Sequence, residues 1–132
     1  MRVDKEKLVS AALAARKNAY APYSGYGVGA AVLTASGEIF TGVNVENASF
    51  GMTICAERAA IISAVSQGHV KFAALAVAVG GDDPAAPCGA CRQVMEEFFD
   101  QETKIFLVNS RGEGKERTVE QLLPEAFSKA NM

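Results

Sequence analysis

From Phe72 to Val79 the chain runs FAALAVAV, with no polar side chain among them. A strand with one face in water alternates apolar and polar residues, so a run without alternation must be covered on both faces. The fold therefore has a central strand with packed elements above and below it. The flanking segments show what those elements are. Residues 4–19 set Leu8, Ala11, Ala12 and Ala15 on one helical face, with Asp4 as N-cap and Lys7, Arg16 and Lys17 toward water. Residues 28–35 and 38–46 are strand-like runs either side of Ser36-Gly37, the signal of a two-residue hairpin turn. In the second run Ile39, Thr41, Val43 and Val45 share one face, and Phe40, Gly42, Asn44 and Glu46 the other. Residues 53–67 read as a helix ended by Gly68, and 88–99 as a helix preceded by a proline suited to a helix start. Residues 104–109 read as a strand, 111–114 as a turn, and 119–123 as a short helix stopped by Pro124. Right-handed crossovers through that order give an α/β fold, a three-layer α/β/α sandwich around a mixed β-sheet. With no repeat and no linker, residues 1–132 are expected to form a single domain.

Charge narrows the partners. Thirteen Lys and Arg against 15 Asp and Glu leave a net charge of −2. Phosphate neutralisation needs a basic surplus, so no nucleic acid is expected as ligand. No apolar run approaches the ~18–20 residues that cross a bilayer, so no membrane partner is expected either. The opening MRVDKEKL is charged where a secretory signal would turn apolar, which points to a cytoplasmic protein. Three cysteines, an odd number in a reducing compartment, do not suit a disulfide framework. The one histidine, His69, follows Gly68 at a helix end and reads as a solvent-facing residue.

The chemistry lies in Thr53-Ile54-Cys55-Ala56-Glu57 and Pro87-Cys88-Gly89-Ala90-Cys91. Both cysteine groups stand at expected helix starts, where unpaired N–H groups and the positive dipole end favour thiolate over thiol. Cys-x-x-Cys chelates from one helical turn, and Cys55 completes a set of three. Three protein ligands leave a tetrahedral Zn²⁺ one open position, the catalytic arrangement. A water bound there has its pKa lowered to roughly 7. Glu57 lies in the same turn as Cys55 and is placed to take that proton without binding the metal. Three thiolates and Zn²⁺ total −1, which Arg58 or Arg92, both next to ligand turns, is placed to offset by hydrogen bonds to sulfur. A Cys-x-x-Cys redox pair and a structural zinc site completed by His69 are the competing readings. The Cys-x-Glu and Pro-Cys-x-x-Cys pair resembles the signature of zinc nucleobase deaminases.

Over nearly its whole length the sequence resembles the small zinc-dependent cytidine deaminases of nucleoside salvage, in the subclass with three cysteine ligands. The likeness rests on Ala21-Pro22-Tyr23-Ser24 with Val28-Gly29-Ala30-Ala31, on Gly42 through Ser49, on the two cysteine motifs, and on Leu122-Leu123-Pro124 with Ala126-Phe127. It implies a zinc-dependent hydrolytic deamination of cytidine and 2′-deoxycytidine, with one zinc per subunit held by Cys55, Cys88 and Cys91 and protons moved by Glu57. It implies that Asn44 and Glu46 bind the ribose hydroxyls and that Tyr26 packs on the nucleoside. Backbone groups near Ala56 and Cys88 would orient the base. Phe50 stands where relatives often carry Tyr. Phe127 would stack on the base in a neighbouring subunit's site, within a homotetramer. Read without the resemblance, Asn44 and Glu46 are a solvated strand face, Tyr26 is loop packing and Phe127 anchors the tail. A same-fold deaminase of blasticidin S or a nucleotide is the nearest alternative, and a non-enzymatic zinc-binding module the more distant one.

Overall fold

The computed structural model describes residues 3–132. Met1 and Arg2, which belong to the charged opening and to the expected 1–132 domain, lie outside the described residues. The helix Lys5–Arg16 (α1) is capped by Asp4, whose side chain accepts from Lys7 N. It is followed by strands Val28–Thr34 (β1) and Ile39–Val43 (β2), helix Ala56–Ser66 (α2) and strand Phe72–Val79 (β3). Then come helix Gly89–Phe98 (α3), strands Lys104–Val108 (β4) and Gly114–Arg117 (β5), and the short helix Val119–Leu122 (α4). Single 3₁₀ turns lie at Phe50–Met52 and Lys129–Asn131.

The sheet order is β2-β1-β3-β4-β5. The apolar strand β3 is central, antiparallel to β1 and parallel to β4, and it is buried along almost its whole length. Alternate residues feed two cores. Ala74, Ala76 and Ala78 pack with Leu8 and Ala12 of α1, while Leu75 and Val77 pack with Ala60 and Ile61 of α2 and Met95 of α3. The alanines on the α1 side let that helix approach closely, and the larger residues fill the space under α2 and α3. One helix below and the others above make the expected three-layer α/β/α sandwich with a mixed sheet.

Several boundaries differ from the sequence expectations, each for a local reason. The hairpin turn is one residue longer: Gly37 N donates to Thr34 O, Gly37 takes φ 95°, and Thr34 N reaches Glu38 O. The second hairpin strand stops at Val43 rather than residue 46, because Val45 leaves the β1 ladder to bridge Tyr20 and Ile54. That bridge holds residues 53 and 54 extended, so α2 begins at Ala56 and not at 53. Strand β5, GKER, has no apolar residue and gave no strand signal. It is a short charged edge, which discourages further pairing. His69 is half-buried rather than solvent-facing, with Nε2 2.6 Å from Glu38 Oε2 and its ring 5.3 Å from that of Phe40.

Candidate metal centre and substrate cleft

The site forms beyond the carboxyl end of β3, the usual crevice of an open α/β sheet. Val77 and Val79 floor it, and the loop leaving β3 returns to start α3. Cys55 and Cys88 are the N-cap residues of α2 and α3. That position favours Ser, Thr, Asp or Asn, whose oxygen caps the helix at about 1 kcal/mol. Neither cysteine makes a side-chain cap bond, so both helix starts forgo this stabilisation and present sulfur instead. Gly42 makes the placement of α2 possible: a Cβ there would lie 2.7 Å from Ala56 O and 2.8 Å from Ala59 C.

The three sulfurs lie within 4.8 Å of one another, Cys88 to Cys91 at 3.3 Å and Cys55 to Cys88 at 3.7 Å. The Cys55 thiol is lowered to about 5, first by the neighbouring Cys91 and then by Arg58. Cys91 is pushed well above the ordinary thiol range by the neighbouring Cys55 and by burial. Arg58 Nη2 donates to Cys55 Sγ at 3.5 Å. Arg92 does not reach sulfur; its Nε and Nη1 hold Pro87 O and Leu122 O at 2.8 and 2.6 Å, bracing the loop before Cys88. Of the two arginines left open by the sequence, Arg58 faces the thiols.

These residues fit a soft divalent cation. The donor set is three thiols at one point, and a thiolate set concentrates negative charge there. Arg58 Nε is buried with no hydrogen-bond partner while the same guanidinium already donates to Cys55. A spare charged donor beside the sulfurs suits a thiolate cluster holding a dication better than three neutral thiols. His69, paired with Glu38, is not among the cluster's residues.

Glu57 is only 5% exposed and lines a cleft of about 230 Å³ together with Tyr26, Asn44, Ala56, Cys55 and Cys88. Burial pushes its carboxyl above the ordinary carboxylate range. Ala56, the first residue of α2, is fully buried at the cleft wall. A second cavity of about 420 Å³ shares Thr53 with the first and is lined by Tyr23, Ser24, Glu46 and Phe50. Tyr26 and Asn44 thus line the cavity beside the thiols, and Glu46 lines its neighbour across Thr53.

Asn44 and Glu46 are not a solvated strand face. Asn44 is buried, its Oδ1 accepting from Val28 N and its Nδ2 donating to Tyr26 O, both at 2.8 Å. Glu46 Oε1 accepts from Tyr23 N and Ser24 N at 3.0 and 3.1 Å, and Oε2 accepts from Ser24 Oγ. These bonds, led by that from Ser24 Oγ, hold the Glu46 carboxyl below its ordinary range. Ser24 Oγ in turn accepts from Tyr26 N at 3.0 Å. Sequence reasoning assigned no role to Ser24 or Thr53. A serine two residues before Tyr26 is the pattern of a side chain closing its own turn, the signal that was available for Ser24. Phe127 is 64% exposed and lines neither cavity, so the fold does not bring it to its own chain's cleft; Gln93 Nε2 donates to its carbonyl at 2.8 Å.

Residues 2–107 match the sequence profile of the cytidine and deoxycytidylate deaminase zinc-binding region. The chain is 48% identical to the cytidine deaminase of Sporosarcina psychrophila, over 98% of this chain and 96% of that one. It superimposes on the crystal structure of cytidine deaminase from Burkholderia pseudomallei with TM-score 0.90 at 47% identity, covering 95% of this chain and all of that one. The Mycobacterium tuberculosis cytidine deaminase structure gives TM-score 0.81 at 38% identity, covering 96% and 98%. The matched region is a zinc-binding one, and Cys55, Cys88 and Cys91 are the residues placed to hold that zinc. On sequence, fold and thiol cluster together, this chain belongs to the cytidine and deoxycytidylate deaminase family.

Proposed function

We propose that the protein catalyses the hydrolytic deamination of cytidine and 2′-deoxycytidine to uridine and 2′-deoxyuridine, releasing ammonia. The observation that carries this is a buried carboxylate, Glu57, beside a three-thiol cluster in a cleft, with polar groups suited to a sugar in that cleft and in the cavity next to it. Cys55, Cys88 and Cys91 would hold one zinc per chain. Bound there, zinc supplies the Lewis acidity that makes water a competent nucleophile near neutral pH.

Glu57 does the proton work. Burial makes its carboxylate a stronger base than an exposed one, which suits a group that must accept and then return protons. It takes one proton from the attacking water and delivers it to N3 of the base as the C4–O bond forms. The water's second proton goes by the same carboxylate to the amino nitrogen, and the C4–N bond breaks with loss of ammonia. Arg58 offsets the negative charge of the thiolates. The backbone at Ala56, at the open start of α2, offers unpaired groups to orient the base.

Asn44, in the cavity beside the thiols, and Glu46, in the neighbouring one, keep capacity for the sugar. Each has lone pairs or a proton beyond those used on the loop, and a carboxylate suits hydroxyls better than phosphate. Tyr26, 46% exposed at the cleft wall, supplies the apolar surface against the nucleoside. Phe127 reaches a partner subunit's site in a homotetramer; its exposure, together with that of Phe50 and Met52 near the cleft mouth, supports this reading.

The test is the ultraviolet change as zinc-loaded protein meets cytidine, deoxycytidine, cytidine monophosphate, cytosine and blasticidin S. Turnover of the two nucleosides with the nucleotide spared is expected. Turnover of another member alone would overturn the assignments of Asn44 and Glu46.

A further inference from the structure

The wall that carries Tyr26 is held from the far side of the sheet by an arginine outside the cleft. Arg16 ends α1, on the face opposite α2, α3 and the thiol cluster. α1 can lie that close to the sheet because β1 has glycine at position 29; a Cβ there would sit 2.5 Å from Arg16 N and 2.8 Å from Arg16 Cα. From that position Arg16 Nε donates to Gly27 O at 2.8 Å. The rest of the guanidinium fills the space over Gly80, where a Cβ would lie 3.0 Å from Arg16 Cζ and collide with Nη2.

Both contacts fall on backbone that shapes the cleft. Gly27 stands between Tyr26 and Val28, and Gly80 follows Val79; Tyr26, Val28 and Val79 all line the cavity. The Tyr26–Val28 backbone is otherwise held by Ser24 on Tyr26 N, by the Asn44 side chain on Tyr26 O and Val28 N, by Asn44 N on Val28 O, and by the pairing of Val28 with Val79 in the β1–β3 ladder. Arg16 supplies the contact on the remaining carbonyl, that of Gly27, and spans to the end of the neighbouring strand at Gly80. No ion pair occupies it among the described residues, so its donors are free for backbone.

We propose that Arg16 is a positioning residue for nucleoside binding, holding the Gly27 carbonyl against the Gly80 end of β3 so that the Tyr26 wall keeps its place in the cleft. This rests on the cytidine deaminase reading of the cleft. Arg16 is remote from Glu57 and the cysteines, so its loss acts on substrate binding and not on the chemical step.

The experiment is a cycle of Arg16→Met, Gly80→Ala and the double variant, with Arg16→Lys alongside. It is read by steady-state kinetics on cytidine and by amide hydrogen exchange of residues 20–28. Arg16→Met is expected to raise KM about tenfold, the loss of about 1.4 kcal/mol of binding, with kcat within about twofold and faster exchange across Tyr26–Val28. Gly80→Ala displaces the guanidinium and should reproduce both effects. In the double variant the alanine methyl meets empty space, so the combined effect should not exceed that of Arg16→Met. Arg16→Lys should recover part of the KM. Unchanged exchange and KM in Arg16→Met, or additive effects in the double variant, would overturn the clasp. A fall in kcat at unchanged KM would overturn the binding role. If the wild-type protein spares cytidine altogether, the substrate reading fails, while the exchange data still decide whether Arg16 pins the wall.

Discussion

Replacing Gly42 with alanine is a small change that should cripple the metal centre without touching any residue in it. A Cβ at position 42 would collide with Ala60 N and lie 2.7 Å from Ala56 O and 2.8 Å from Ala59 C, where ordinary contact begins near 3.4 Å. These obstacles are backbone of α2, so no side chain can swing away. Relief requires the start of α2 to retreat from β2 by at least about 0.7 Å, the difference between those distances. Overpacking of this kind costs about 1–3 kcal/mol of stability. The functional cost is larger, because Cys55 and Glu57 ride on the displaced turn while Cys88 and Cys91 stay on α3. Metal sites tolerate ligand displacements of about 0.2 Å, and misplacing a reacting group by 1 Å costs on the order of 100-fold. Gly42→Ala is therefore expected to fold, to hold zinc more weakly and to lose roughly 10- to 100-fold in kcat. Zinc titration against a chromogenic chelator, thermal melting and turnover of cytidine test this. A variant with wild-type zinc affinity and kcat would refute the claim that the close approach at Gly42 sets the metal geometry.

Glu57→Gln keeps the shape of the side chain and removes its proton-transfer capacity. Zinc content should stay near one per chain while turnover falls by at least about 10²–10⁴-fold. Cys91→Ala removes a buried ligand, and chelation of the native protein removes the ion itself; both should lower the melting temperature, since metal binding and folding are coupled, and re-addition of zinc should restore only the chelated native protein. The Glu46 carboxyl, lowered first by the hydrogen bond from Ser24 Oγ, should titrate below the ordinary value of about 4.3 in carbon-13-labelled protein. Because its folded value is depressed, this contact contributes fully above the unfolded value and is lost as pH falls through the folded one. In Ser24→Ala the titration should move up toward the ordinary value, and an unmoved midpoint would refute Ser24 as the main cause.

How much of this was legible in the chain differs by kind of residue. β3 matched its expected bounds because a strand covered on both faces leaves an unbroken apolar run, a signal that needs no neighbour to interpret. Strand β5 was invisible for the opposite reason: GKER pairs with β4 through its backbone alone, and its side chains carry no record of that. The second hairpin strand was read three residues past its end because Asn44 and Glu46 continue the alternation of their neighbours. Whether such residues stay in a ladder or turn to grip a loop depends on partners far away in sequence, here Val28 and Tyr26 for Asn44 and Ser24 for Glu46. The cysteines were legible because metal chemistry constrains residue type and spacing together. The choice between Arg58 and Arg92 was not, since both adjoin ligand turns and only the packed position of α4 takes Arg92 away to Leu122 O.

The helix starts join the fold to the chemistry. Cysteine at an N-cap gives up the oxygen cap that serine or aspartate would supply, at about 1 kcal/mol per helix. The same position places the sulfur where unpaired N–H groups and the dipole favour the thiolate. Two such starts converge only because β1, β2 and β3 hold α2 and α3 side by side on one face of the sheet. Neither helix alone has three thiols, and Glu57, in the first turn of α2, meets the cluster only because Gly42 lets that helix settle on the hairpin. Restoring a cap therefore should separate stability from function. Cys88→Ser would cap α3 and recover some helix stability in the chelated protein, while its oxygen is a poor replacement for the lost sulfur in binding zinc. A higher melting temperature than wild type without zinc, combined with a lower one in its presence, is the expected pattern. Equal shifts in both states would mean that the cysteine holds its N-cap position for packing alone.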